Sequence, residues 1–420
     1  RSASRGHCPA CRYFITVTNV EKSEASVSKD PGPAASTRAA HAPAPVRPGS
    51  PRPGPGLIVL GLGGACLLAG LDAALLRLGV RVPVGGAALA ALYAPVMLVG
   101  FLGAVIALER AVAVGEAWAL LAPAGGASGC LALVAGVPEP AGQVLAFLGA
   151  LVLCAIYVRL HRRAASISVD VGAMGAIALT GGDLLWLRGA AVEACVPLWL
   201  LFPVLALVGA RLEPAPDSSG AVPGTLVQEA VRAVSAAALL GACLLGVTGG
   251  ARLLIGLALL ALAAVMVRDD AARRAVRATG AARLAAAWAL AGHLWLAVAG
   301  LVWSLGPLDA ASGAGSGAYD ILVRAIVLGY ALSMIMARLV ARVEARAPTT
   351  APVAHRGLPH RRTMWPSWAL LHAGLALWAV SQARGASALQ RAGGVISVVA
   401  VLVLMLLALA AAGPAAARRS

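Results

Sequence analysis

Acidic residues are scarce. Eighteen Asp and Glu stand against 34 Lys and Arg in 420 residues, and charged residues of both signs make up only 12% of the chain. A soluble domain normally covers its surface with about twice that share, so an ordinary soluble fold is excluded. Aromatic residues are scarcer, with four Phe and five Tyr. The formal charge of +16 therefore comes without the stacking side chains of a single-strand nucleic-acid surface, and nucleic acid is not an expected partner. Catalytic signatures are missing too. There is no hydrolase triad, Walker loop, dinucleotide-binding glycine pattern or HExxH helix, so no enzymatic activity is expected. No GxxxDRxGRR-type loop follows the second apolar run, which counts against a major-facilitator transporter.

Cysteine is sparse and mostly solitary. Cys66, Cys130, Cys154, Cys195 and Cys243 each stand alone within or beside an apolar run and read as small packing residues. Cys8 and Cys11 form one CxxC beside His7, which is half a metal site or a lone redox motif without a second pair.

What the chain has in abundance is apolar length. Hydrophobic residues make up 60% and the mean hydropathy is +0.84. A helix needs about 20 apolar residues to cross the hydrocarbon of a bilayer. The sequence predicts twelve such spans: 57–76, 85–108, 117–137, 142–160, 169–187, 192–210, 231–249, 251–267, 284–305, 321–339, 365–383 and 392–412. The expected fold is an all-α, polytopic membrane bundle. Residues 1–56, rich in Pro, Ala and Arg, read as a disordered basic tail. No signal-peptide apolar core precedes Leu57, and a chain opening on Arg1 with its first methionine at Met97 reads as truncated or processed. Residues 57–210 hold the first six spans, 211–230 a central loop, 231–412 the second six spans and 413–420 a C-terminal tail. With alternating spans, most of the Lys and Arg fall on one side, which predicts both termini in the cytoplasm. Trp186, Trp303, Trp365 and Trp368 fall near span ends, where indoles favour the membrane interface.

Two spans echo one another. Leu92 to Val114 and Tyr319 to Val343 both carry a glycine-aromatic pair, Gly100-Phe101 and Gly329-Tyr330. A charge follows nine residues after each glycine, Glu109 in one and Arg338 in the other. A six-plus-six repeat would pair span two with span eight, so the echo does not define such a repeat.

Charges in apolar runs mark sites because they are costly in lipid. Glu109 and Arg110 close span two and Arg338 closes span ten on the same side. They read either as snorkelling interfacial anchors or as a Glu109–Arg338 pair across the bundle. Asp320 precedes Arg324 by one helical turn, so the two read as a local ion pair, with an anion-binding arginine as the sharper reading. Arg324 and Arg338 are about 21 Å apart along a helix and cannot share one small site. Asp72 and Asp183, near outer span ends, read as solvated caps or proton carriers. His293 and His372 lie inside spans, as packing residues or as ligands of a membrane haem. His161, His355 and His360 fall in arginine-rich loops.

Gly100-Phe101-Leu102-Gly103, Leu108-Glu109-Arg110-Ala111-Val112-Ala113, Gly209-Ala210-Arg211-Leu212-Glu213 and Ser333-Met334-Ile335 resemble a branch of twelve-span bacterial membrane proteins related to NnrS. The resemblance covers most of Leu57 to Arg346. It implies a haem- or copper-containing inner-membrane protein associated with denitrification and nitric oxide stress. In the branch pattern a histidine stands where this chain has Tyr93, Arg324 and Arg338. A guanidinium stays protonated and does not ligate metals. The expectation is the family's scaffold in the bilayer with a degenerate metal site and a non-catalytic or regulatory role, His293 and His372 being substitute ligands if haem or copper is held. The alternatives are a secondary transporter of a small anionic solute, using Arg324 and the outer carboxylates, and a structural membrane partner subunit.

Overall fold

The computed structural model describes residues 54–80, 87–213, 224–269, 277, 279–305, 317–345 and 361–417. Cys8, Cys11, His355 and His360, nearly all of the predicted tail and much of the predicted central loop lie outside the described residues. Within them the fold is all-α, with no strand.

Among the described residues twelve long helices follow one another: α1 (Pro55–Arg77), α2 (Tyr93–Val114), α3 (Ala117–Val134), α4 (Glu139–Arg163), α5 (Ile167–Leu187), α6 (Val192–Leu212), α7 (Thr225–Cys243), α8 (Ala251–Asp269), α9 (Ala281–Leu305), α10 (Gly317–Ala345 through its segments), α11 (Arg361–Ala383) and α12 (Ser387–Ala417). Among the described residues eleven are long and apolar enough to cross a membrane. The remaining one, α11, coincides with the predicted span 365–383; Trp365, Trp368, Trp378, Pro366 and His372 lower its hydropathy.

The boundaries differ from the sequence reading where a turn intervenes. Span two does not begin at 85. A short helix, Ala87–Ala91, stops at Leu92, and α2 then runs on to Gly115, whose φ of 75° ends it. The seventh span is predicted over 231–249, but α7 starts at Thr225 and stops at Cys243, ahead of a turn through Gly246 at φ 84°. α7 and α8 are two helices joined by a short turn and packed on each other.

Consecutive helices pack as antiparallel neighbours, α5 on α6, α11 on α12, α3 on α4 and α8 on α9 most extensively, and α12 returns to touch α1. Small residues permit this. A Cβ at Gly125 would lie 2.9 Å from Gly149 Cα, and one at Gly300 would lie 2.9 Å from Gly256 O. Helices in lipid approach through such positions, where backbone contact replaces the missing hydrophobic drive.

The core consists of α2, α6 and α10. Buried residues make up 78%, 78% and 83% of their most apolar stretches, against at most 56% for any other span. The echo seen in the sequence is a structural one. α2 is π-helical over Val96–Leu102 and α10 over Ala325–Ala331. One offset, 229 residues, relates the two glycines, both ends of the two π segments and the pair Glu109 and Arg338. The segments pack on each other. Gly329 lies flat against Trp295 of α9, and Gly100 sits between Cys66 of α1 and Cys130 of α3. A wide turn of this kind adds a residue and rotates the rest of the helix about its axis, and such bulges concentrate at functional sites.

Candidate functional site

The C-terminal ends of the three core helices meet in one charged cluster. Glu109 of α2 lies 2.8 Å from Arg338 Nη2 and 2.5 Å from Arg342 Nη2, both on α10, and 3.5 Å from its neighbour Arg110. Arg338 and Arg342 are one turn apart, so both reach the same carboxylate. Arg110 turns the other way and bonds Glu213, the residue that caps α6. Ser168 at the start of α5 donates to Glu213 at 3.4 Å. Of the two readings of Glu109 and Arg338, the cross-bundle pair is the one present. Arg110 is buried rather than snorkelling. Because ends of α2, α6 and α10 all contribute, these helices run parallel.

The N-terminal ends of α2 and α10 hold a second cluster. Asp320 does not pair with Arg324. It takes Arg77 from the end of α1, at 2.7 Å, a partner that sequence distance concealed. Arg324 is 3% exposed, with its guanidinium carbon 4.4 Å from the Trp378 ring centroid on α11. Arg77 lies 5.9 Å from the Tyr93 ring. Tyr93 Oη and Arg324 Nε are buried with no hydrogen-bond partner among the described residues.

The remaining candidates are scattered. Asp183 is not a solvated cap: it is fully buried and accepts from Trp199 Nε1 at 2.8 Å. Trp186, expected at an interface, packs edge-on against Trp199 inside the bundle, and Trp303 is likewise buried. Asp72 is half-buried on α1. Cys243 is exposed, whereas Cys66, Cys130 and Cys195 are buried as packing residues. His161 pairs with Asp170 at 2.9 Å.

The two histidines of the predicted spans point to different neighbours. His293 faces Tyr330 of α10, with ring centroids 6.4 Å apart. His372 accepts from Trp295 Nε1 at 3.1 Å and lies edge-on to Trp288 and Trp368. The indole bond uses Nδ1 of His372, and no group of three His, Cys, Asp or Glu converges among the described residues. Tyr93 and Arg324 lie in one cluster and Arg338 in the other. No three-ligand set for copper is assembled among the described residues, and Arg324 and Arg338 supply no metal ligand.

Together these features define a class: an all-α bundle of span-length apolar helices around a charged core of three parallel helices. The chain belongs to the family described as a domain of unknown function (DUF8744), whose model matches residues 56–413. Comparison with the curated proteins and with the solved structures finds no match.

Proposed function

We propose that the chain is a multi-pass protein of the bacterial cytoplasmic membrane, with both termini on the cytoplasmic side, and that it acts as a secondary transporter of a small solute. The orientation is supported by the gathering of arginines in alternate loops. The transport reading is carried by one observation: α2 and α10 are interrupted by π segments at corresponding positions and pack against each other there. π segments inside helices concentrate at functional sites, and two that meet in the buried core mark where a solute would bind. In this reading the Glu109 cluster closes the cytoplasmic end of the core.

A flux screen on purified protein in liposomes tests it, with labelled anions, cations and neutral solutes each placed on one side. Saturable uptake of one of them is expected. Leakage no faster than that of empty liposomes for every class contradicts the reading. The NnrS-like resemblance supports a second reading, a haem or copper protein. An oxidised-minus-reduced optical spectrum with metal analysis separates the two, because a stoichiometric Soret band lost in His293→Ala or His372→Ala belongs only to the second.

A further inference from the structure

A buried guanidinium with no carboxylate is costly, because its desolvation is not offset by a partner. Arg324 is in that position. Among the described residues it forms no ion pair, since Asp320, one turn before it, is held by Arg77. Trp378 covers one face of the guanidinium. The backbone of α12 approaches closely, since a Cβ at Gly394 would come within 3.5 Å of Nη1. With one face covered, the N–H groups that remain lie in the guanidinium plane, where oxyanions and halides are bound. Tyr93 belongs to the same cluster through Arg77, whose guanidinium carbon is 5.9 Å from the Tyr93 ring and which pairs with Asp320 one turn before Arg324. The Tyr93 hydroxyl and Arg324 Nε are thus two buried donors of one cluster, neither with a hydrogen-bond partner among the described residues.

We propose that Arg324 and Tyr93 form a binding site for one small monovalent anion, at the end of the core opposite the Glu109 cluster. The inference rests on the transport reading for what the anion is for, but not for the site itself. The charge is set by the surroundings. Arg77 and Asp320 neutralise each other, so Arg324 contributes a single positive charge and one monovalent anion completes it. A divalent anion leaves an excess negative charge in an apolar setting. Trp378 over the guanidinium and the approach of α12 at Gly394, with Leu78 beside it, crowd Arg324, so the ion we propose is a halide or formate-sized. The pairing of Asp320 with Arg77 rather than Arg324 is essential, because a carboxylate on Arg324 would occupy the place of the ligand.

The experiment is isothermal titration of the purified full-length protein with sodium chloride, sodium formate and sodium sulfate, at an ionic strength held constant with gluconate. Saturable binding of chloride or formate at one per chain is expected, with sulfate at least tenfold weaker. Arg324→Gln is expected to weaken binding at least a hundredfold, and Tyr93→Phe about tenfold for the lost hydrogen bond to a charged ligand. No binding of either monovalent anion overturns the site, as does wild-type affinity in Arg324→Gln. Should that variant fail to fold, wild-type affinity in Tyr93→Phe does the same. Failure of the site and failure of the transport reading are separable. Anion binding without flux of any solute keeps the site and removes transport; flux of a cation or neutral solute without anion binding does the reverse.

Discussion

Glu109 is the residue on which the core's charge balance depends. It is the shared acceptor of Arg338 and Arg342 and also touches Arg110. Glu109→Gln removes the carboxylate that Arg338 and Arg342 share and is expected to destabilise by about 1–2 kcal/mol, below the scale for a fully buried pair because the side chains are partly exposed. Arg338→Met is expected to cost less, because Glu109 keeps Arg342 and Arg110. Thermal unfolding in detergent ranks the two, and the opposite order contradicts the shared-acceptor account. A second carboxylate acts outside the spans. Glu116 accepts from Trp118 Nε1 and from Arg159 and Arg163. The Trp118 hydrogen bond first, then the two arginines, hold its carboxyl below the usual range. A lowered carboxyl stabilises the fold above its unfolded-state pKa, and the contribution is lost as pH falls through the folded value. Glu116→Gln is therefore expected to be less stable than wild type at neutral pH, with the gap closing in acid. Which charges matter was legible in the sequence, because carboxylates and guanidiniums in apolar runs are few. The Glu109–Arg338 pair was one of two readings, but the other partners were not legible. Asp320 read as the partner of Arg324, and Asp183 as a cap or proton carrier, since span edges drawn from hydropathy do not say which face of a helix meets protein.

Among the elements, the helix pairs depend on glycine at backbone contacts. A Cβ at Gly300 would meet Gly256 O and Leu260 N at 2.9 and 3.0 Å, with nothing flexible to move aside, whereas Gly61 has nothing within 4 Å. Gly300→Ala is expected to cost about 1–3 kcal/mol through overpacking, and Gly61→Ala to change stability by less than about 0.5 kcal/mol. Equal losses in the two contradict the backbone-contact account of α8 and α9. The π segments show where sequence reading stops. No residue type announces a π turn, and hydropathy treats Leu92 to Val114 as one uniform run. The echo of Gly100-Phe101 in Gly329-Tyr330 did locate both segments, because each glycine sits where a neighbouring side chain presses on the backbone. What the spacing did not reveal is that the echoing helices touch.

Across the whole molecule, the proposed topology and the proposed transport are separate claims. The turn after α4 and the turn after α5 lie on opposite faces of the bundle. Ala164 and Ala191 are exposed there. In a Cys243→Ser background, which removes the exposed native thiol, a membrane-impermeant maleimide is expected in intact cells to label Ala191→Cys but not Ala164→Cys until the membrane is broken. The reverse pattern inverts the orientation, and labelling of both without lysis argues against insertion. The all-α class was legible from composition and run length alone; of the twelve predicted spans, eleven coincide with helices long and apolar enough to cross a membrane among the described residues. The three-helix core was not, because burial in a bundle depends on which helices stand at its centre, and α1, α4, α8 and α12 are as apolar as α2, α6 and α10 or more so.

The central claim is that α2 and α10 must separate at the Glu109 end for solute to pass. The direct measurement is flux through liposomes containing Glu109→Cys/Arg338→Cys, before and after closure with a bifunctional thiol reagent, once the flux screen has identified the solute. The account expects the open double variant to retain flux and the cross-linked form to lose at least nine tenths of it. Unchanged flux with cross-linking complete would show that the core does not open there.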